Sequence, residues 1–211
     1  MIAVTDLQFQ YQSGGDEILG GLTHTFEDGE FAVVTGPSGR GKSTLLYLVG
    51  LLLSPVAGGI EVDGMATTGL SDRERSLLRS EKIGFVFQDS ALDSTRSVLD
   101  NVVEGGLYAG LGRRQAEGRA RDLLDRFGVE LREDHKPGEV SGGQAQRVGL
   151  CRALVKHPRI ILADEPTGNL DQASADVVLD ALQQQAEAGA TVVVASHDPM
   201  VMARAGAVCA L

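Results

Sequence analysis

Residues Gly36-Pro37-Ser38-Gly39-Arg40-Gly41-Lys42-Ser43 combine glycines, one lysine and one hydroxyl in the pattern glycine, four residues, glycine, lysine, serine. Each residue type has a reason to be there. The glycines let successive backbone N–H groups turn inward around an anion, and a following helix aims its positive end at the same point. Lys42 supplies charge for the outer phosphates of a nucleotide. The Ser43 hydroxyl can ligate Mg2+, and Thr44 follows it in the first helical turn. The apolar run Ile160-Ile161-Leu162-Ala163 ends in a second set of reactive groups, Asp164 and Glu165. Neighbouring strand residues face opposite ways. Asp164 is therefore expected at the metal, and Glu165 at an attacking water as the base that polarises it.

These groups need rigid elements to hold them. Phe31 to Thr35 reads as a buried strand entering the glycine-rich loop, and a helix is expected from about Lys42 to Leu53. Ile2, Val4, Leu7 and Phe9 alternate as an opening strand whose phase slips around Asp6. Ile60 to Val62 reads as a short strand closed by Asp63-Gly64, and Ser71 with Glu74 forms a capping-box pattern opening a helix toward Arg79. Ile83 to Phe87 is a further strand. From about Arg96 to Phe127 the pattern is helical, broken at Gly105-Gly106 and Gly110 to Gly112. A helix is expected from Ser141 to His157, a strand at 160–163, a helix to about Ala188, and a strand from Thr191 to Ala195. Strands alternating with such helices imply a largely parallel sheet covered on both faces, with the polar helical stretch from about Asp89 to Ser141 inserted between strands.

The bulk numbers narrow the function. A chain of 211 residues suits one α/β domain, and 43% apolar with 23% charged residues is ordinary for a globular protein. A net charge of −10 opposes nucleic acid as the main partner, since displacing phosphate counterions requires excess Lys and Arg. Cys151 and Cys209 have no metal-ligand spacing and read as small apolar residues of a reduced compartment. The N-terminus lacks a secretory layout, and the most apolar stretch, Leu45 to Leu53, is far below the ~20 residues of a membrane span. The expectation is a cytoplasmic protein whose membrane role runs through a partner.

Ser141-Gly142-Gly143-Gln144, followed by Gln146-Arg147, resembles the signature motif of the ABC (ATP-binding cassette) ATPases. Ser141 and Gln144 also form a capping box, and the two glycines leave the helix start bare for a phosphate. Other family positions match in order. Gln88 resembles the Q-loop glutamine, Asn169-Leu170-Asp171 the D-loop, and Ser196-His197-Asp198 the switch segment; Tyr11 resembles the aromatic that stacks on adenine. The resemblance implies a P-loop NTPase fold: a RecA-like core with an antiparallel β subdomain and an inserted α-helical subdomain. Its implied division is a nucleotide-binding core at 1–88 and 144–211, with residues 89–143 as the helical subdomain.

What the resemblance implies for chemistry is ATP hydrolysis with Mg2+. Nucleotide is held by Tyr11, Gly36, Pro37, Ser38, Gly39, Arg40, Gly41, Lys42, Ser43 and Thr44. Metal is held by Ser43, Gln88 and Asp164, and catalysis falls to Glu165, His197 and Gln88. Ser141, Gly142, Gly143 and Gln144 would contact the ATP of a second subunit, and Asp171 would cross the dimer interface. The implied partners are a second ATPase chain and a separate transmembrane permease, with the protein peripheral at the cytoplasmic face of the cell membrane. Within the family, the stretch from Ala163 to Asp171 and the run Phe85 to Gln88 are most similar to the lipoprotein-release and macrolide-export group.

Three departures stand out: Val140 where leucine usually opens the signature, Asp93 within a polar 89–96 segment that would dock the membrane partner, and an end at Leu211 that leaves no regulatory extension. The rival reading is a soluble ABC ATPase working on ribosomes, DNA or chromosomes. It would call for tandem cassettes, coiled-coil insertions or zinc cysteines, and the acidity opposes it. A P-loop kinase or GTPase leaves Ser141 to Gln144 and His197 unexplained.

Overall fold

The computed structural model describes residues 1–11 and 18–211. Two sheets organise the molecule. Strands β1 (Ile2–Phe9), β2 (Leu19–Phe26), β4 (Ala57–Val62) and β5 (Met65–Ala66) form an antiparallel sheet in the order β2-β1-β4-β5. Strands β3 (Phe31–Thr35), β6 (Ile83–Val86), β7 (Ile160–Asp164), β8 (Thr191–Ala195) and β9 (Ala207–Ala210) form a parallel sheet in the order β6-β7-β8-β3-β9. This is the α/β architecture with an antiparallel β subdomain that the sequence leads one to expect.

The pleat of the parallel sheet sorts its apolar residues into two cores. Ala32, Val34, Leu162, Val193 and Ala195 face helix α1 (Lys42–Val49) and the antiparallel sheet. Phe31, Val33, Ile161, Ala163, Val192 and Val194 face the opposite way. There they meet α5 (Gly142–Leu154) and α6 (Gln172–Glu187). Burial on both faces explains why these strands read as continuous apolar runs rather than alternating ones. The remaining helices are α2 (Asp72–Lys82), α3 (Val98–Tyr108), α4 (Arg113–Arg126) and the short α7 (Pro199–Met202). Helices α3 and α4 pack on each other and on α5.

Several expectations are corrected. Helix α1 stops at Val49 instead of Leu53, because Gly50 caps it and Leu51 turns left-handed at φ 58°. Gly50 is also tightly enclosed, with Leu162 Cδ1 lying 3.0 Å from where a β-carbon would stand. Helix α5 ends at Leu154 rather than His157, and β4 begins at Ala57 rather than Ile60. Strand β2 escaped the sequence reading: Gly20 and Gly21 interrupt its pattern, and it pairs with β1 alone at the sheet edge. The phase slip in β1 is a real bulge: Asp6, at φ 46°, sits where the register with β2 shifts between Val4 and Leu7.

Candidate active site

The glycine-rich loop joins β3 to α1. Gly41 begins the helix in a left-handed conformation (φ 94°), and no side chain caps the N–H groups behind it. A helix start whose N–H groups no side chain caps, bordering a cleft, is the arrangement an anion requires. A β-carbon at Gly41 would lie 2.6 Å from Ile18 Cγ2, and one at Gly36 would lie 2.7 Å from the Leu211 carbonyl oxygen, so neither position admits another residue without displacement. Lys42 folds back across the loop, its Nζ donating to the carbonyls of Gly36 at 2.9 Å and Pro37 at 3.3 Å.

Beyond the loop, Ser43 Oγ donates to Asp164 Oδ1 at 2.9 Å. The other Asp164 oxygen accepts from Tyr47 Oη at 3.3 Å. Burial raises the Asp164 carboxyl above its ordinary value, against the opposing effect of the Ser43 and Tyr47 hydrogen bonds. A desolvated carboxylate facing a hydroxyl fits Mg2+, which favours one or two carboxylates together with substrate phosphates and water over an all-protein cage. Tyr47 was missed from the sequence. Its signal was position: four residues after Ser43, it shares the face of α1 that looks at β7.

Glu165 does not continue the strand, contrary to the expectation of simple alternation. Its backbone turns left-handed (φ 42°) while its N–H donates to the Ala195 carbonyl at 2.9 Å. The reversal aims the carboxylate at the end of β8, where Ser196 Oγ donates to Oε2 at 2.9 Å and His197 Nδ1 lies 2.8 Å from Oε1. With the carboxylate ionised, the proton of that second contact sits on Nδ1. A left-handed glutamate is uncommon, and such strain concentrates at functional positions. Ser196 is thus a further residue of the site; its hydroxyl also accepts from the Asp198 N–H at 3.1 Å, tying the three-residue segment together.

One cleft of about 510 Å³ gathers Tyr11, Ser38, Gly39, Gly41, Lys42, Ser43, Thr44, Gln88, Glu165 and His197. Tyr11 is 62% exposed, stands edge-on to Phe9 and shares a 3.0 Å hydrogen bond with the Thr44 hydroxyl, which leaves a ring face open to the cleft. Pro37 and Arg40 lie exposed in the loop, outside the cleft lining.

Ser141 to Gln144 stand elsewhere. Ser141 caps α5 by accepting from the Gln144 N–H at 3.2 Å, while Gln144 Oε1 accepts from the Ser141 N–H at 2.9 Å. Gly142 lines a second cleft of about 300 Å³, and Gln88 borders both clefts. Gly143 packs against Ser174. Asp171 is exposed and caps α6, accepting from Ser174 N and Oγ at 3.0 Å each. Asp93, the departure from the family pattern, builds a local turn. It accepts from Thr95 N and Arg96 Nε at 2.9 Å each, and the Thr95 bonds hold its carboxyl below the usual range.

The profile of the ABC transporter family matches residues 19–168, a span that includes the glycine-rich loop, the helix tip and both carboxylates. The chain belongs to the ABC transporter family. It is an ATP-binding, ATP-hydrolysing cassette. Among its relatives, this cassette is 44% identical over 191 residues to a lipoprotein-releasing system ATP-binding protein of Rhodospirillum rubrum, covering 89% of this chain and 84% of that one. It is 43% identical over 210 residues to a protein of the same description from Caulobacter vibrioides, covering 98% and 90%. A macrolide export ATP-binding/permease protein of Paracoccus denitrificans is 48% identical over 177 residues, which span 84% of this chain but 26% of that longer protein. The group anticipated from the 163–171 stretch is therefore the right one. Among solved structures, a dimeric ATP-binding cassette in a post-hydrolysis state bound to ADP and Pi superposes with TM-score 0.93 at 34% identity, covering 100% of this chain and 94% of that one.

Proposed function

We propose that this cassette works as one half of a nucleotide-sandwich dimer and drives a separate transmembrane permease from the cytoplasmic face of the membrane. The observation that carries the reading is the separation of the two clefts. Lys42, Ser43, Glu165 and His197 converge on one, while the bare helix tip at Gly142 opens on another. A phosphate site on one copy and a helix tip on a second copy complete each other.

In this reading Tyr11 stacks on adenine, the loop from Gly36 to Thr44 wraps the phosphates, and Lys42 leaves its carbonyl partners for the outer phosphates. Ser43, Asp164 and Gln88 would hold Mg2+, which supplies charge neutralisation on the phosphates when bound. Glu165 accepts the proton of the attacking water, and His197, held by Glu165, orients the terminal phosphate. Asp171 meets the partner copy. Residues 89–143 act as the mobile helical subdomain on a core of 1–88 and 144–211, and closure carries that subdomain toward the partner's nucleotide.

A groove of about 520 Å³ beside β6 supports the permease assignment. Leu52, Leu77, Phe85 and Tyr108 give it apolar walls, and Arg73, Arg79, Arg152 and Lys156 concentrate positive charge on a chain of net charge −10. No helix among the described residues is long and apolar enough to cross a membrane.

Glu165→Gln tests the scheme. The variant is expected to bind ATP, lose hydrolysis by at least about a hundredfold and accumulate as an ATP-dependent dimer in size-exclusion chromatography. Near-normal turnover would remove Glu165 from the role of base, and a monomer at saturating ATP would remove the sandwich.

A further inference from the structure

Helix α5 carries the Ser141 tip at its start, and further along the same helix it grips the segment that holds Gln88. Gln146, Gly149 and Arg152 recur every three residues and so share one face of α5. Gln146 is buried, and its Nε2 donates to the Phe87 carbonyl at 3.0 Å. At Gly149 a β-carbon would already touch Ser90, 3.4 Å from its Cβ and from its carbonyl oxygen. Arg152 donates from Nη2 to the Ser90 carbonyl and from Nη1 to the Ala91 carbonyl, both at 2.6 Å.

Those two carbonyls belong to consecutive left-handed residues, Ser90 at φ 53° and Ala91 at φ 47°. Neither is glycine, so the turn is strained and needs an external hold. Arg152 supplies it. Its fork donates to the two carbonyls, while the nearby Glu104 carboxylate pairs with Arg96.

We propose that Arg152 is a positioning residue for hydrolysis. With Gln146 it fastens residues 87–91 to α5 and so sets where Gln88 stands in the catalytic cleft. The inference rests on the reading of Gln88 as a group at the metal and water, and the experiment separates the two.

ATPase kinetics are measured on the wild-type protein, Arg152→Lys, Gln88→Ala and the double variant. Lysine keeps the charge but, as a single ammonium, cannot fork across two carbonyls. Arg152→Lys is expected to lower kcat about tenfold with KM for ATP within about twofold, and to lower kcat by less than about twofold once Gln88 is already alanine. Losses that multiply in the double variant, or a KM effect with kcat intact, overturn the proposal. Gln88→Ala with wild-type kcat overturns the reading of Gln88 instead.

Should Arg152→Lys fail to fold, native-state hydrogen exchange on the wild-type protein decides. The amides of 88–91 are expected to open together with α5 across a denaturant series, and opening of that segment on its own at lower denaturant overturns the proposal.

Discussion

Ser43 and Asp164 are 121 residues apart in sequence, and Ser43 Oγ donates to Asp164 Oδ1 at 2.9 Å. Before any cation arrives, the hydroxyl of one element and the carboxylate of another already face each other. The carboxylate is buried, and its raised pKa reflects the desolvation of a charge held for a ligand. Keeping it ionised at neutral pH therefore works against folding. Asp164→Asn is expected to raise the melting temperature of the nucleotide-free protein by about 2–4 °C and to abolish Mg2+-dependent hydrolysis. Calorimetry and a phosphate-release assay check the two halves; a lower melting temperature would mean that the carboxylate is structural.

Among the described residues, Lys42 is tied to the Gly36 and Pro37 carbonyls, at a partly exposed position. Lys42→Ala should leave the melting temperature within about 2 °C of wild type, the ordinary range for a surface change, while tight nucleotide binding is lost. Titration with a fluorescent ATP analogue reads this directly. Unchanged affinity would contradict the phosphate cradle.

The Ser141 capping box satisfies two backbone donors at the tip of α5. Ser141→Ala should cost about 1 kcal/mol, or about 2–4 °C in melting temperature, whereas Ser141→Gly should cost only a few tenths of a kcal/mol. Equal losses in the two variants would show that the cap is not what stabilises the tip.

Lys156 lies largely buried in the basic groove with its Nζ on the Arg79 carbonyl, and burial lowers its pKa from 10.5 to about 8. The folded chain therefore binds this proton less readily than the unfolded chain does. The penalty is full below about pH 8 and fades as pH rises toward 10.5. Lys156→Met should melt higher than wild type at pH 7, and the gap should close by about pH 10. A pH-independent gap would assign the effect to packing.

Local rules made much of the site legible. The glycines that free the α1 N-terminus, the apolar run ending in Asp164-Glu165 and the Ser141–Gln144 capping box all act within one turn or one strand, so residue type and spacing suffice to find them. Strand β2 was not legible, because two glycines blur its period and its pairing with β1 lends it an order its own residues do not signal. Tyr47 and Arg152 were not legible either, since a tyrosine or arginine on a helix announces no partner.

The sequence by itself determined the inventory: a phosphate loop, two acids after a strand, a bare helix tip and a histidine after the last buried strand. Tertiary structure decided the aim of each. The left-handed turn at Glu165 sends its carboxylate to Ser196 and His197, and α5 grips the carbonyls beyond Gln88. Spacing along a chain constrains only neighbours within a few residues. Which distant groups meet follows from the register of the parallel sheet and the helices it packs, and that depends on the whole core at once.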